Sequence, residues 1–138
     1  MSKDYSIKVT LDVAFNENNI QKILLRGLDK NFEYYDHILG ERYKNSPLLD
    51  VRGATQKIIK ARINNLEEGP CVYAVFEKNS SVHLCFYESE DGYLEFDAAS
   101  FGGIRKKGHY IDFAYYIKCF LDLCDDFPVL GLRTNIYG

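Results

Sequence analysis

The chain has 138 residues, 17 Lys and Arg against 20 Asp and Glu, and a formal charge of −3. That length suits one domain with a single core, and the mild acidity argues against a general nucleic-acid binder, which needs a basic footprint. With 46% hydrophobic and 27% charged residues disorder is excluded too, and eleven Tyr and nine Phe without any Trp put aromatic rings into the expected core.

Tyr5, Ile7, Val9, Leu11, Val13 and Phe15 alternate with Ser6, Lys8, Thr10, Asp12 and Ala14. A period of two over that length predicts a strand with one buried face. Asn16-Glu17-Asn18-Asn19 supplies capping side chains for a helix continued by Ile20, Ile23, Leu24 and Leu28, weakened inside by Gly27 and ended near Asp29-Lys30-Asn31. Phe32 to Leu39 is ambiguous between helix and strand, and the spacing of Phe32, Tyr35 and Leu39 favours helix. Gly40 to Pro47 reads as a loop. From Val51 to Leu66 an apolar stripe at helical spacing predicts a helix capped by Asp50, with Arg52, Lys57, Lys60 and Arg62 on its other faces and no acid.

Cys71 to Glu77, Ser81 to Glu88 and Tyr93 to Ala98 form a predicted meander, turning at Lys78-Asn79-Ser80 and at Ser89-Glu90-Asp91-Gly92. Gly102-Gly103 and Arg105-Lys106-Lys107-Gly108 read as a flexible basic loop. Tyr110 to Asp126 reads as the last helix, closed by Phe127-Pro128, and Val129 to Thr134 as a final short strand. Strands joined by tight turns must be antiparallel. The expected class is therefore α+β: an antiparallel, possibly mixed, sheet of about five strands with three or four helices packed on it, in one domain spanning 1–138. Which strand lies beside the first is open at this level.

No targeting segment precedes the first strand, and no window approaches the roughly 18–20 apolar residues of a membrane span. The expected location is the cytoplasm, with Cys71, Cys85, Cys119 and Cys124 reduced and mostly packed as small apolar groups. His83 and Cys85, two apart on a strand, share a face and offer a metal edge or a nucleophile–base pair, but no completing ligand motif accompanies them. The other histidines are His37 and His109. Nucleophile-elbow, zinc-protease, P-loop and dinucleotide-binding patterns are absent. The glycines at 102 and 103 before Arg105 and Lys107 could cradle a phosphate, although a solvated loop accounts for them as well. No catalytic residue, metal or cofactor is assigned.

Charge layout says more. Glu88, Glu90, Asp91, Glu95 and Asp97 follow one another with no base between them, flanked by Tyr87 and Tyr93. Such a block keeps a shared negative field unless cations elsewhere in the fold pair with it. Asp122, Asp125 and Asp126 form a second group at a predicted helix C-terminus, where the dipole disfavours each by about 0.3–1 kcal/mol. A negative surface beside tyrosines suits a basic macromolecular partner, because such fields speed encounter and Tyr anchors interfaces. A merely solubilising face is the plain alternative.

The acidic meander Cys71 to Asp97 and the helix Tyr110-Ile111-Asp112-Phe113-Ala114-Tyr115-Tyr116-Ile117 give a small acidic α+β domain that resembles the immunity proteins of bacterial contact-dependent growth inhibition and related toxin systems. The resemblance implies a cytoplasmic, non-catalytic protein that binds a cognate toxin domain, often a nuclease, and occludes its active site. The partner-binding residues expected on this reading are Glu88, Glu90, Asp91, Tyr93, Glu95 and Asp97, with no membrane and no direct nucleic acid as partner and the oligomeric state open. A secretion chaperone is a second binding-class reading, though that family pattern opens with a helix. A small hydrolase using His83, His109 or Cys85 is the enzymatic one.

Overall fold

The computed structural model describes residues 4–36, 47–63, 70–77, 80–102 and 105–137. In chain order the elements are β1 (Asp4–Ala14), α1 (Glu17–Asp29), β2 (Glu33–Tyr35), β3 (Leu48–Leu49), α2 (Val51–Ile63), β4 (Cys71–Glu77), β5 (Ser80–Glu88), β6 (Tyr93–Gly102), β7 (Lys106–Lys107), β8 (Tyr110–Ile111), α3 (Phe113–Asp122) and β9 (Val129–Tyr137). Seven strands make one sheet in the order β3-β2-β4-β5-β6-β1-β9, and β7 pairs with β8 in a separate small hairpin. Every described strand pair is antiparallel. The α+β class and the three helices therefore stand, while the main sheet has seven strands rather than about five.

The alternation in β1 does what a period of two requires. Ile7, Val9 and Leu11 are fully buried and meet Val82, Leu84 and Phe86 of β5 and Leu94, Phe96 and Ala98 of β6 in one core. All three helices add to that same core: Ile20, Ile23 and Leu24 from α1, Val51, Ala54 and Ile58 from α2, Tyr116 and Phe120 from α3. The described helices thus cover one face of the sheet. Phe76 of β4 joins β2 to α3, stacking on Phe32 at 5.0 Å and meeting the Phe120 ring edge-on at 5.6 Å.

Caps set the helix limits. The Asn16 side chain accepts the Asn19 N–H at 2.8 Å to start α1, and Asp50 accepts the Gly53 N–H at 2.6 Å to start α2. At the end of α1 the Phe32 N–H reaches back to the Gly27 carbonyl at 2.8 Å and Asn31 adopts φ 66°, the left-handed stop favoured by Gly or Asn. That stop explains why the helix expected for Phe32–Leu39 is absent over its described part. Glu33–Tyr35 instead pairs with Val75–Tyr73 of β4 and, through Tyr34 and Tyr35, with β3. Residues 37–39, His37 among them, and Leu66 lie outside the described residues.

The last helix is also shorter than its apolar stripe suggests. Asp112 caps it, accepting the Tyr115 N–H at 3.3 Å, so Tyr110–Ile111 falls in β8 instead. The expected flexible basic loop is, over its described part, this hairpin, turning at Gly108 (φ 65°). Arg105 is tied to α3: its Nε lies 3.2 Å from the Asp112 carboxylate and its guanidinium 4.2 Å from the Tyr115 ring centre. Strand β9 runs three residues past the expected Thr134, because β1 offers it a partner along its length.

Candidate partner-binding face

The side chains of β6 divide between the two faces of the sheet. Leu94, Phe96 and Ala98 enter the core, which turns Tyr93, Glu95 and Asp97 to the face opposite the helices. Strand register then assembles two rows there. One runs Cys71, Cys85, Asp97, Lys8, Arg133 across β4-β5-β6-β1-β9, and the other Tyr87, Glu95, Thr10, Gly131.

Lys8 sits at the crossing. Its ammonium lies 3.4 Å from the Glu95 carboxylate and 5.3 Å from the centre of the Tyr87 ring. Asp97 is half-buried, and one of its carboxylate oxygens has no hydrogen-bond partner among the described residues. Burial pushes its carboxyl above the usual range, and Lys8 pulls it part of the way back. The Tyr87 hydroxyl is likewise pushed up, first by burial and then by the neighbouring Cys85 and Asp97. Beside this network a cavity of about 330 Å³ opens, lined by Lys8, Thr10, Glu95, Gly131, Leu132 and Arg133.

At the rim, Ser89 builds the turn into β6. Its N–H bonds to the Tyr93 carbonyl at 2.9 Å and its hydroxyl accepts the Tyr93 N–H at 2.9 Å, while Gly92 takes φ 85°. Glu90 and Asp91 stand exposed at the tip. Glu88 is on the other side of the strand: it pairs with Arg62 of α2, whose guanidinium also lies 4.6 Å from the Phe15 ring centre.

The expected single, unmatched negative field is therefore not what folds. Glu88 is matched by Arg62 on the helical side, Glu95 by Lys8 on the open side, and Asp97 faces Lys8 from a half-buried position. Among the described residues only Glu90 and Asp91 remain as an acidic tip, with Tyr93 half-buried at its base. Two of the three members of the second acidic group are matched as well, Asp122 by Lys118 at 2.8 Å and Asp126 by Arg26 at 2.9 Å. Half of the basic helix is consumed in the same way, since Lys57 pairs with Asp36 and Arg62 with Glu88. Lys8 and Arg133 are the members of the face that sequence reasoning passed over. The available signal was a lysine at an outward position of a long alternating strand.

His83 and Cys85 of the hydrolase alternative lie on β5, and His109 lies between β7 and β8. Cys85 lies between Cys71 and Asp97, and its thiol is pushed up by its hydrogen bond with Cys71 and by burial. A thiol raised in this way is a slow nucleophile at neutral pH. His83 packs edge-on against the Tyr73 ring at 5.2 Å, and His109 is exposed on the β7–β8 hairpin. Cys124 is buried, its thiol donating to the Phe120 carbonyl at 3.5 Å. Among the described residues no three His, Cys, Asp or Glu side chains converge on a metal-sized site, and no described helix is long and apolar enough to cross a membrane. Compared with protein-family models, curated proteins and solved structures, the chain matches none.

Proposed function

We propose that this chain is a non-catalytic binding protein that neutralises a cognate toxin domain in the cytoplasm, as the immunity proteins it resembles do. The observation that carries the reading is the sheet face left open by the helices, where Tyr87, Lys8, Glu95 and Asp97 form a partly desolvated network beside the acidic tip of Glu90 and Asp91. A half-desolvated charged row costs less to bury against a partner than a fully hydrated one. Its Lys8–Glu95 pair can exchange for cross-interface pairs. Glu90 and Asp91 act as the steering charges, Tyr93 and Tyr87 as the aromatic contacts, and Glu88 supports the turn through Arg62 rather than touching the partner.

The test is to read the neighbouring open reading frame and co-express this chain with the toxin domain expected there. Wild-type protein should restore growth and bind the purified domain. Glu90→Lys/Asp91→Lys should slow association about tenfold at low salt with little change in dissociation, as expected for rim charges. Failure of the wild-type chain to protect removes the toxin-neutralising reading. Protection and association rates unchanged by the double reversal remove the acidic tip from the interface. For the chaperone reading, light scattering showing a tight dimer that wraps an extended client would be the supporting result.

A further inference from the structure

Cys71 of β4 and Cys85 of β5 are register partners across an antiparallel pair. One step away, the Phe86 N–H donates to the Pro70 carbonyl at 2.7 Å, which marks 70 and 86 as a hydrogen-bonded pair. Alternation then makes 71 and 85 a non-hydrogen-bonded pair, in which Cα atoms stand about 4.5 Å apart and side chains approach closely. A disulfide spans Cα separations of roughly 4.4–6.8 Å, so the backbone already satisfies its reach. The two thiols hydrogen-bond to each other. Cys85 is half-buried on the open face, whereas Cys71 is 6% exposed.

We propose that Cys71 and Cys85 are a dithiol site that reacts with a low-molecular-weight disulfide, such as glutathione disulfide, to close a cross-strand disulfide on the open face. Cys85, the more accessible of the two, reacts first. Its thiolate attacks one sulfur of glutathione disulfide, forming a Cys85–glutathione bond and expelling one glutathione thiolate. The Cys71 thiolate then attacks the Cys85 sulfur, forming the intramolecular bond and expelling the second. The protein thiols lose two electrons and two protons, and the reagent leaves as two molecules of glutathione. Cys71, Tyr87 and Asp97 face the Cys85 thiol, with Lys8 beyond Asp97; the Cys71 hydrogen bond, burial and the Asp97 charge keep that thiol protonated, and the Tyr87 hydrogen bond opposes them. The exchange is accordingly slow at neutral pH and faster as pH rises. Nothing in this site depends on the toxin-binding reading.

Peptide mapping by mass spectrometry decides the matter on the folded full-length chain treated with glutathione disulfide. The expected product is a chain lighter by two hydrogens, with the Cys71 and Cys85 peptides linked, reversed by dithiothreitol. In Cys71→Ser the reaction should stop at glutathione attached to Cys85. Linkage to Cys119 or Cys124 would overturn the proposal. So would unreacted Cys71 and Cys85 after prolonged treatment at alkaline pH, or a linked product found only in urea.

Discussion

Gly27 is the residue whose identity is most tightly dictated by its surroundings. In the interior of a helix it costs about 1 kcal/mol relative to alanine, which alone would make Gly27→Ala stabilising. The Tyr34 side chain reverses the sign. Its hydroxyl donates to the Leu24 carbonyl at 3.0 Å, and a Cβ built on Gly27 would stand 1.8 Å from that hydroxyl oxygen. Gly27→Ala should destabilise the protein by about 1–3 kcal/mol in urea unfolding, the usual range for forced overpacking. Tyr34→Phe should cost about 1 kcal/mol through the lost hydrogen bond, and the double variant should cost less than the sum because the clash loses its oxygen. A stabilising Gly27→Ala would contradict the packing. Asp97 gives a pH-dependent counterpart. Its carboxyl is raised by burial in the folded state, so folding favours the protonated form, and that contribution fades as pH rises through the folded pKa. Asp97→Asn should therefore gain stability relative to wild type at pH 7 and lose that advantage below the ordinary carboxylate range, which thermal unfolding at the two pH values measures.

Among the elements, edge strand β9 is the exposed one. Val129, Leu130 and Leu132 are exposed along it, and beyond β1 it has no strand partner among the described residues. Such an edge templates association unless a charge interrupts it, and Arg133 is the single charge on β9. Leu130→Lys, at a position 52% exposed, should leave the unfolding free energy within about 0.5 kcal/mol while lowering concentration-dependent light scattering. Unchanged scattering would show that the edge is not the sticky surface. The contrast among strands also explains what could be read from the chain. In β1 the alternation repeats over eleven residues, and the Asn16 and Asp50 caps announce their helices locally. Strand β2 has three residues and β3 two, too few to show any period, and both exist because β4 and each other supply pairing from a distance. Phe32 and Tyr35 share helical spacing by coincidence. The acidic block failed as a unit for a related reason. Its cations, Arg62 and Lys8, come from a helix and a strand remote in the chain, and Glu88 faces away from Glu95 by strand parity, which a count of charges does not register.

At the scale of the whole molecule, the first and last strands complete the sheet. Strand β1 lies between β6 and β9, and Asp4 is register partner to Tyr137. The fully buried Ile7, Val9 and Leu11 are therefore secured on one side by a strand that comes last in the chain. Contacts so far apart in sequence are costly to form because the loop they close runs through all the intervening elements, and that cost also slows folding. Linking the ends with a short Gly-Ser segment removes it from the unfolded state without altering a native contact. The cyclised chain should be more stable by about 3–5 kcal/mol on the loop-closure scale used for cross-links, and should refold faster, since β9 and β1 then become neighbours in a hairpin. Both the core on the helical side and the Lys8–Arg133 row on the open side depend on that one strand pair. A cyclised protein that is destabilised, or that folds no faster, would mean the ends do not meet as β1 and β9, and the open face would lose its Arg133 border with them.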